Sequence, residues 1–152
     1  MNILFAVGGP SGSGKTSVTR VVVSRDLRLQ YSVSCTSRPA RRDERSGESY
    51  FFLSEAKFLL ERDAGKFVEY AHVHGNWYGT NRSYLERLLT DSDVIGEVNW
   101  DGILMMRQAG ILVVSVMVLP PSLEELGIRL RARSDLDDDR IAARLADALR
   151  EM

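Results

Sequence analysis

Lys15 and Thr16 close the stretch Gly9-Pro10-Ser11-Gly12-Ser13-Gly14-Lys15-Thr16-Ser17. An ammonium and a hydroxyl behind spaced glycines make a site for a nucleoside triphosphate. The glycines let successive backbone N–H groups turn into one concavity that holds phosphate oxygens. Lys15 then reaches the β and γ phosphates as a point charge, and the Thr16 hydroxyl is placed to ligate Mg²⁺. This loop specifies a triphosphate donor and says nothing of the acceptor.

Two further groups of residues could hold an acceptor. The first is Ser34-Cys35-Thr36-Ser37-Arg38-Pro39-Ala40-Arg41, followed by Tyr50. Arginine grips a phosphate monoester through two parallel hydrogen bonds, and a phenol adds a neutral donor. Taken alone, the charged run ARRDERSGE also reads as a solvated loop. The second is KFVEYAHVHGNWYGT. On an extended strand over 67–73, Phe67, Glu69, Ala71 and Val73 share one face. A carboxylate among apolar neighbours needs a partner. The N1–H and 2-amino donors on one edge of guanine are such a partner. A wet carboxylate at a strand end is the plainer alternative. The turn that follows supplies Tyr78 and Thr80.

These residues must be positioned by the elements around them. The 152 residues fit one domain and can bury a core. A net charge of −1 gives no basic field that would draw nucleic acid. The single cysteine, Cys35, excludes an internal disulfide and suits a reducing compartment. No signal-peptide pattern opens the chain, and the apolar run at 111–119 is too short to span a bilayer. Apolar runs predict strands at 3–7, 94–98 and 111–119. Helical spacing predicts helices at 15–25, 54–64, 82–90, 100–108, 122–132 and 138–150, with Ser54 and Ser122 as N-caps. Strand–helix alternation argues an α/β fold with a parallel core sheet. Between 31 and 80 the short strand candidates YSVS, SYFFL and KFVEYAHV crowd together, as in an inserted β-rich subdomain.

With those motifs in view, the chain resembles the guanylate kinase family, P-loop enzymes that phosphorylate GMP from ATP. The resemblance runs from Ile3 to Glu151. It rests on GPSGSGKT, on S-x-T-x-R-x-x-R with a later tyrosine, on F-x-E followed by W-Y-G-T, and on a late pair of arginines. It implies a P-loop core over 1–32 and 81–128, a GMP-binding insertion over 33–80, and a lid with a terminal helix over 129–152. It implies ATP and Mg²⁺ on residues 9–17, that is Gly9, Pro10, Ser11, Gly12, Ser13, Gly14, Lys15, Thr16 and Ser17. Arg38, Arg41, Tyr50 and Tyr78 would hold the GMP phosphate. Ser34 and Thr80 would donate to guanine O6, while Glu69 accepts from N1 and the 2-amino group. Lys15, Arg38, Arg133 and Arg144 would meet the charge of the moving phosphoryl group, with Arg131 near enough to substitute in part. The expected setting is cytoplasmic, with GMP and dGMP as acceptors and neither nucleic acid nor membrane as partner.

The sequence departs from the family's pattern in places. Glu97-Val98-Asn99 stands where relatives carry acid-x-Asp. Glu97 keeps an acid near Mg²⁺, and Asn99 offers the 2-amino group a neutral acceptor. Asp43 replaces a glycine of the phosphate loop, and Pro39 comes one place early. Relatives continue past residue 152 with a further strand and helix, so the run 111–119 is expected at an open sheet edge where copies could associate. His72, His74 and Cys35 match no role, and Asp137 is read as a helix cap rather than a metal ligand. Related domains also serve as interaction modules in scaffold proteins, but these tend to lose the P-loop that Lys15 and Thr16 keep here. A poorly active short form and a P-loop kinase for another small phosphorylated acceptor are the remaining alternatives. The Glu69–Thr80 pair argues against the last.

Overall fold

The computed structural model describes residues 2–132 and 137–151. In chain order the elements are β1 (Leu4–Gly8), α1 (Lys15–Arg25), β2 (Leu29–Ser32), β3 (Cys35–Thr36), β4 (Phe51–Phe52), α2 (Glu55–Asp63), β5 (Phe67–Val73), β6 (Asn76–Asn81), α3 (Arg82–Asp91), β7 (Asp93–Glu97), α4 (Trp100–Gln108), β8 (Val113–Met117), α5 (Leu123–Arg131) and α6 (Asp138–Glu151). The helices lie close to the predicted ranges. Side-chain caps fix several starts, because the first N–H groups of a helix have no partner inside it. Ser54 Oγ accepts from Lys57 N–H at 3.2 Å and Ser122 Oγ from Glu125 N–H at 3.1 Å. Asp137 Oδ1 accepts from Arg140 N–H at 2.8 Å, which makes it a cap as its position implied.

Two sheets result. The first has order β2-β7-β1-β8 and is parallel throughout. The second has order β4-β3-β6-β5. The YSVS run divides between them: Tyr31 and Ser32 end β2, and β3 begins at Cys35. Of SYFFL only Phe51 and Phe52 form a strand, and of the apolar run at 111–119 only 113–117 does.

Leu4, Ala6, Val94, Val98, Ile103, Met106 and Leu85 form the main core, joined by Val68 from β5. Val68 gets there through a bulge. The β5–β6 register slips between Phe67 and Glu69, so Phe67, Val68 and Glu69 are all buried in succession. The expected alternation is therefore broken at Val68. Phe67 packs with Phe58 and Cys35 under the second sheet, while the neighbouring Val68 faces the first. Alternation resumes from Glu69, with Tyr70 and His72 exposed.

At the other end of the first sheet β8 pairs only with β1 among the described residues. Leu112 O accepts from Leu4 N–H and Val118 N–H donates to Gly8 O. Even-numbered residues thus bond inward, and the backbones of 113, 115 and 117 face outward. Val114, Val116 and Met117 are 42%, 42% and 46% exposed. Helix α6 leaves this edge open and packs instead on α5, through Leu126, Leu130, Ile141 and Ala148.

Candidate active site

The loop between β1 and α1 is held by glycines at φ 129°, 92° and 107° for Gly9, Gly12 and Gly14. A side chain at Gly9 would meet the Val118 carbonyl at 2.2 Å, so that position must lack one. Gly14 is the N-cap of α1, which aims the helix's free N–H groups and positive dipole end into the loop. Ser13 Oγ is buried with no hydrogen-bond partner in the structure, an unmet polar atom inside a phosphate-shaped cradle. Lys15 Nζ donates to Gly9 O at 2.6 Å and Pro10 O at 2.9 Å, so the ammonium folds over the loop it serves.

Thr16 and Glu97, read separately as metal ligands, are in contact. Thr16 Oγ1 donates to Glu97 Oε2 at 3.1 Å. Glu97 Oε1 also receives Tyr31 O–H at 3.4 Å and Thr19 O–H at 3.5 Å. A hydroxyl and a carboxylate, both hard oxygen donors at the mouth of a phosphate loop, suit a divalent cation that keeps waters and phosphate oxygens as its other ligands. Burial, then the nearby Glu97 charge, raises the Tyr31 phenol far above its ordinary range, so it stays a neutral donor.

Two basic residues reach the loop from the helices beyond β8. Arg144 Nη1, on α6, donates to Ser11 Oγ at 2.9 Å. Arg129 Nη1, on α5, donates to Ser13 O at 3.3 Å while its Nε holds Glu125 at 2.8 Å. Arg131, the expected partial substitute, points elsewhere: it lines a groove of about 320 Å³ with Leu123, Leu145 and Leu149 between α5 and α6. Arg133 lies outside the described residues.

Arg38 and Arg41 are gathered on Glu44. Arg38 Nη2 meets Glu44 Oε1 at 2.7 Å, and Arg41 N–H donates to Glu44 Oε2 at 2.8 Å. Burial disfavours the Glu44 charge, but the two arginines outweigh it and hold the carboxyl below its ordinary range. The Arg38 guanidinium stands 5.5 Å from the Tyr50 ring centre, and Tyr50 meets Tyr78 edge-on at 5.9 Å. Both phenols and Arg38 therefore share one corner. Burial, then the Glu97 charge, pushes the Tyr50 phenol up to about 12, so it stays a neutral donor near neutral pH.

The third group lies deeper. Glu69 is only 6% exposed and Thr80 2%. They sit opposite each other in the β5–β6 ladder, and Thr80 O–H donates to Glu69 Oε1 at 2.6 Å. Burial pushes the Glu69 carboxyl up to about 7, against the opposing pull of the Thr80 hydroxyl and backbone N–H. Asn99 is the N-cap of α4, and its Oδ1 accepts from Gly102 N–H at 2.9 Å. A carbonyl oxygen has a second lone pair, so this cap leaves Asn99 able to accept once more. Ser34 is half-buried in the β2–β3 connection, where its carbonyl accepts from Phe51 N–H at 2.9 Å.

The sequence reading missed Glu44, Tyr31, Thr19 and Arg129. Glu44 closes the stretch RPARRDE, where its place at the end of the phosphate loop marks it without showing its hold on Arg38 and Arg41. The other three become visible only when distant segments are brought side by side.

The sequence model of the guanylate kinase family matches residues 2–152. The guanylate kinase of Nitrosomonas europaea is 41% identical over 153 residues, spanning 100% of this chain and 76% of its own length. That of Hydrogenovibrio crunogenus is 43% identical over 150 residues, spanning 98% and 73%. The crystal structure of guanylate kinase from Anaplasma phagocytophilum matches the fold with a TM-score of 0.71 at 27% identity, over 99% of this chain and 87% of that one.

Proposed function

Because the chain belongs to the guanylate kinase family, we propose that it transfers the γ-phosphoryl group of ATP to GMP or dGMP, giving ADP and GDP or dGDP. The observation that carries this reading is the buried Glu69–Thr80 pair beside two phosphate-gripping arginines. The carboxylate accepts from guanine N1–H and the 2-amino group, Ser34 donates to O6 beside Thr80, whose one hydroxyl proton is held by Glu69 Oε1, and Asn99 offers a further acceptor. Arg38, Arg41, Tyr50 and Tyr78 hold the acceptor phosphate.

That phosphate is already anionic near neutral pH. The reaction therefore needs no general base. An acceptor oxygen attacks the γ-phosphorus, the bond to the β-phosphate oxygen breaks, and the protein aligns the two and meets their charge. Lys15 leaves the loop carbonyls for the β and γ oxygens. Arg38, Arg133 and Arg144 complete the cationic surround. Thr16 and Glu97 are the residues that would hold Mg²⁺, which when bound shields the polyphosphate charge. The nucleotide substrates and the lone reduced Cys35 fit a cytoplasmic setting. No helix among the described residues is long and apolar enough to cross a membrane.

The testing experiment is an ADP-release assay with GMP, dGMP, AMP, CMP and UMP as acceptors. Activity with the guanine nucleotides alone is expected. Turnover spread evenly over the panel would exclude the guanine site.

Glu69 adds a pH dependence. Only its carboxylate form can accept two hydrogen bonds, and in the free protein that form gains a proton near pH 7. GMP binding should therefore release a proton and weaken as pH falls, by about fivefold from pH 7 to 6. Calorimetry in buffers of different ionisation enthalpy counts the protons. Glu69→Gln removes this component and keeps that of the nucleotide phosphate, which also titrates near 6. Equal proton release in both forms would mean that Glu69 is ionised before GMP arrives.

We also propose that the open edge of β8 pairs with a second copy. The outward backbone groups of 113, 115 and 117 and the uncharged sequence VVSVM make a template for another strand. Light scattering after size exclusion should give a mass that rises with concentration above 17.1 kDa. Ser115→Lys should lower it. A monomer at every concentration would refute the pairing.

A further inference from the structure

Gly102 stands in the first turn of α4 with no conformational reason to be glycine. It is not among the glycines with positive φ. Inside a helix, glycine is less stable than alanine because it loses more backbone freedom on folding. What the position lacks is space. A Cβ there would lie 2.7 Å from Glu69 Oε2, 2.7 Å from Val98 Cγ1 and 2.9 Å from Asn99 Oδ1. Two of those three atoms are the oxygens offered to the guanine 2-amino edge.

The two oxygens of Glu69 are thus held by different means. Oε1 is fixed by the Thr80 hydroxyl at 2.6 Å. Oε2 rests against the bare Cα of Gly102, where α4 from the first sheet's layer meets β5 of the second sheet. Guanine presents O6, N1–H and the 2-amino group in a row. Thr80 marks the O6 end, so Oε1 faces N1 and Oε2 faces the 2-amino group. Asn99 Oδ1, on the same side as Oε2, agrees with that order.

We propose that Gly102 is a specificity-determining positioning residue: its missing side chain lets Glu69 Oε2 and Asn99 Oδ1 converge on the 2-amino group, so that the site distinguishes guanine from the same base without that group. This rests on the reading of Glu69 as the guanine acceptor. A methyl at 102 displaces Oε2 and leaves Oε1 tied to Thr80. The loss should therefore fall on the 2-amino group and spare N1–H and O6.

Inosine monophosphate keeps O6 and N1–H and lacks only the 2-amino group, so the ratio of kcat/KM for GMP over IMP reads this contact. For the native chain a ratio of roughly 10 to 100 is expected, the value of one hydrogen bond to a charged group. In Gly102→Ala the ratio should fall to about 2 or less while KM for ATP stays within about twofold. A structural defect would lower GMP and IMP alike and leave the ratio at its native value, and that result overturns the proposal. If Gly102→Ala does not fold, Val98→Ala/Gly102→Ala, which clears the one apolar atom in the way, is read by the same ratio. Failure of both to fold would assign the glycine to the fold alone and also overturn the proposal. A native ratio near one, by contrast, would strike at the Glu69 reading itself.

Discussion

AMP should be phosphorylated with kcat/KM at least roughly 10⁴-fold below GMP. Adenine carries no proton on N1, so the Glu69 carboxylate would face a lone pair instead of a donor. It also has an amino group where guanine has O6, which sets donor against donor at Ser34. Neither mismatch can relax into water, because Glu69 is 6% exposed and Thr80 2%. A buried polar group left without its partner costs its full desolvation. The near-neutral titration of Glu69 softens the penalty at low pH, since a protonated carboxyl can donate to adenine N1. Discrimination should therefore narrow as pH falls below 7. Steady-state kinetics with both acceptors at pH 6 and 8 measure both effects, and a ratio under about 100 at pH 8 would remove the guanine assignment.

Arg144→Ala should lower kcat by roughly 10³ with little change in KM for GMP. That loss corresponds to about 4 kcal/mol of transition-state stabilisation. The side chain stands at the donor loop and away from the acceptor phosphate, hydrogen-bonded to Ser11 Oγ at 2.9 Å. Its helix is held by Ile141 and Ala148 against Leu126 and Leu130, so the guanidinium is carried on a packed element. A cation placed there meets charge that spreads over the γ oxygens as they leave the β-phosphate. The half-buried Arg144 contributes little to the α5–α6 core, so the melting temperature should hold. Turnover equal to the parent would show that the Ser11 contact is the whole of its role.

The P-loop and the helix positions were legible because they depend on residues close together in the chain, although in α1 the apolar Val18, Val21 and Val22 face outward and only Thr19 is buried. Gly14, Lys15 and Thr16 carry their meaning in their spacing, and Ser54, Ser122 and Asp137 cap their helices from the expected side. The second sheet was legible only as a crowding of short strands. With β3 and β4 two residues long, neither alternation nor propensity had length enough to speak. The bulge at Val68 was hidden for a different reason: it is a property of the β5–β6 pair and belongs to neither strand alone. Glu69 was picked out by its apolar neighbours, but the pressure from Gly102 crosses between layers and has no local signature. Asn99 shows both sides of the limit. Its type and place suggested an acceptor for the base, and its duty as the cap of α4 appeared only with the backbone in place.

The order of the first sheet bears on how this chain comes off the ribosome. Leu4 pairs with Val94 on one side and with Val113 on the other. Strand β1 thus emerges first and has no neighbour until Asp93–Glu97 has been made. At about 5–20 residues per second that is a wait of roughly 5–20 s. The second sheet has no such delay, since its pairings all fall between Cys35 and Asn81. During synthesis, then, the Glu69–Thr80 pair can form while the apolar Leu4–Gly8 strand is still unpaired, and Asn99 and Gly102 reach it only after Asp93–Glu97 has been made. A nascent chain of this topology offers this apolar segment to chaperones early, and keeps it on offer until Asp93–Glu97 has appeared.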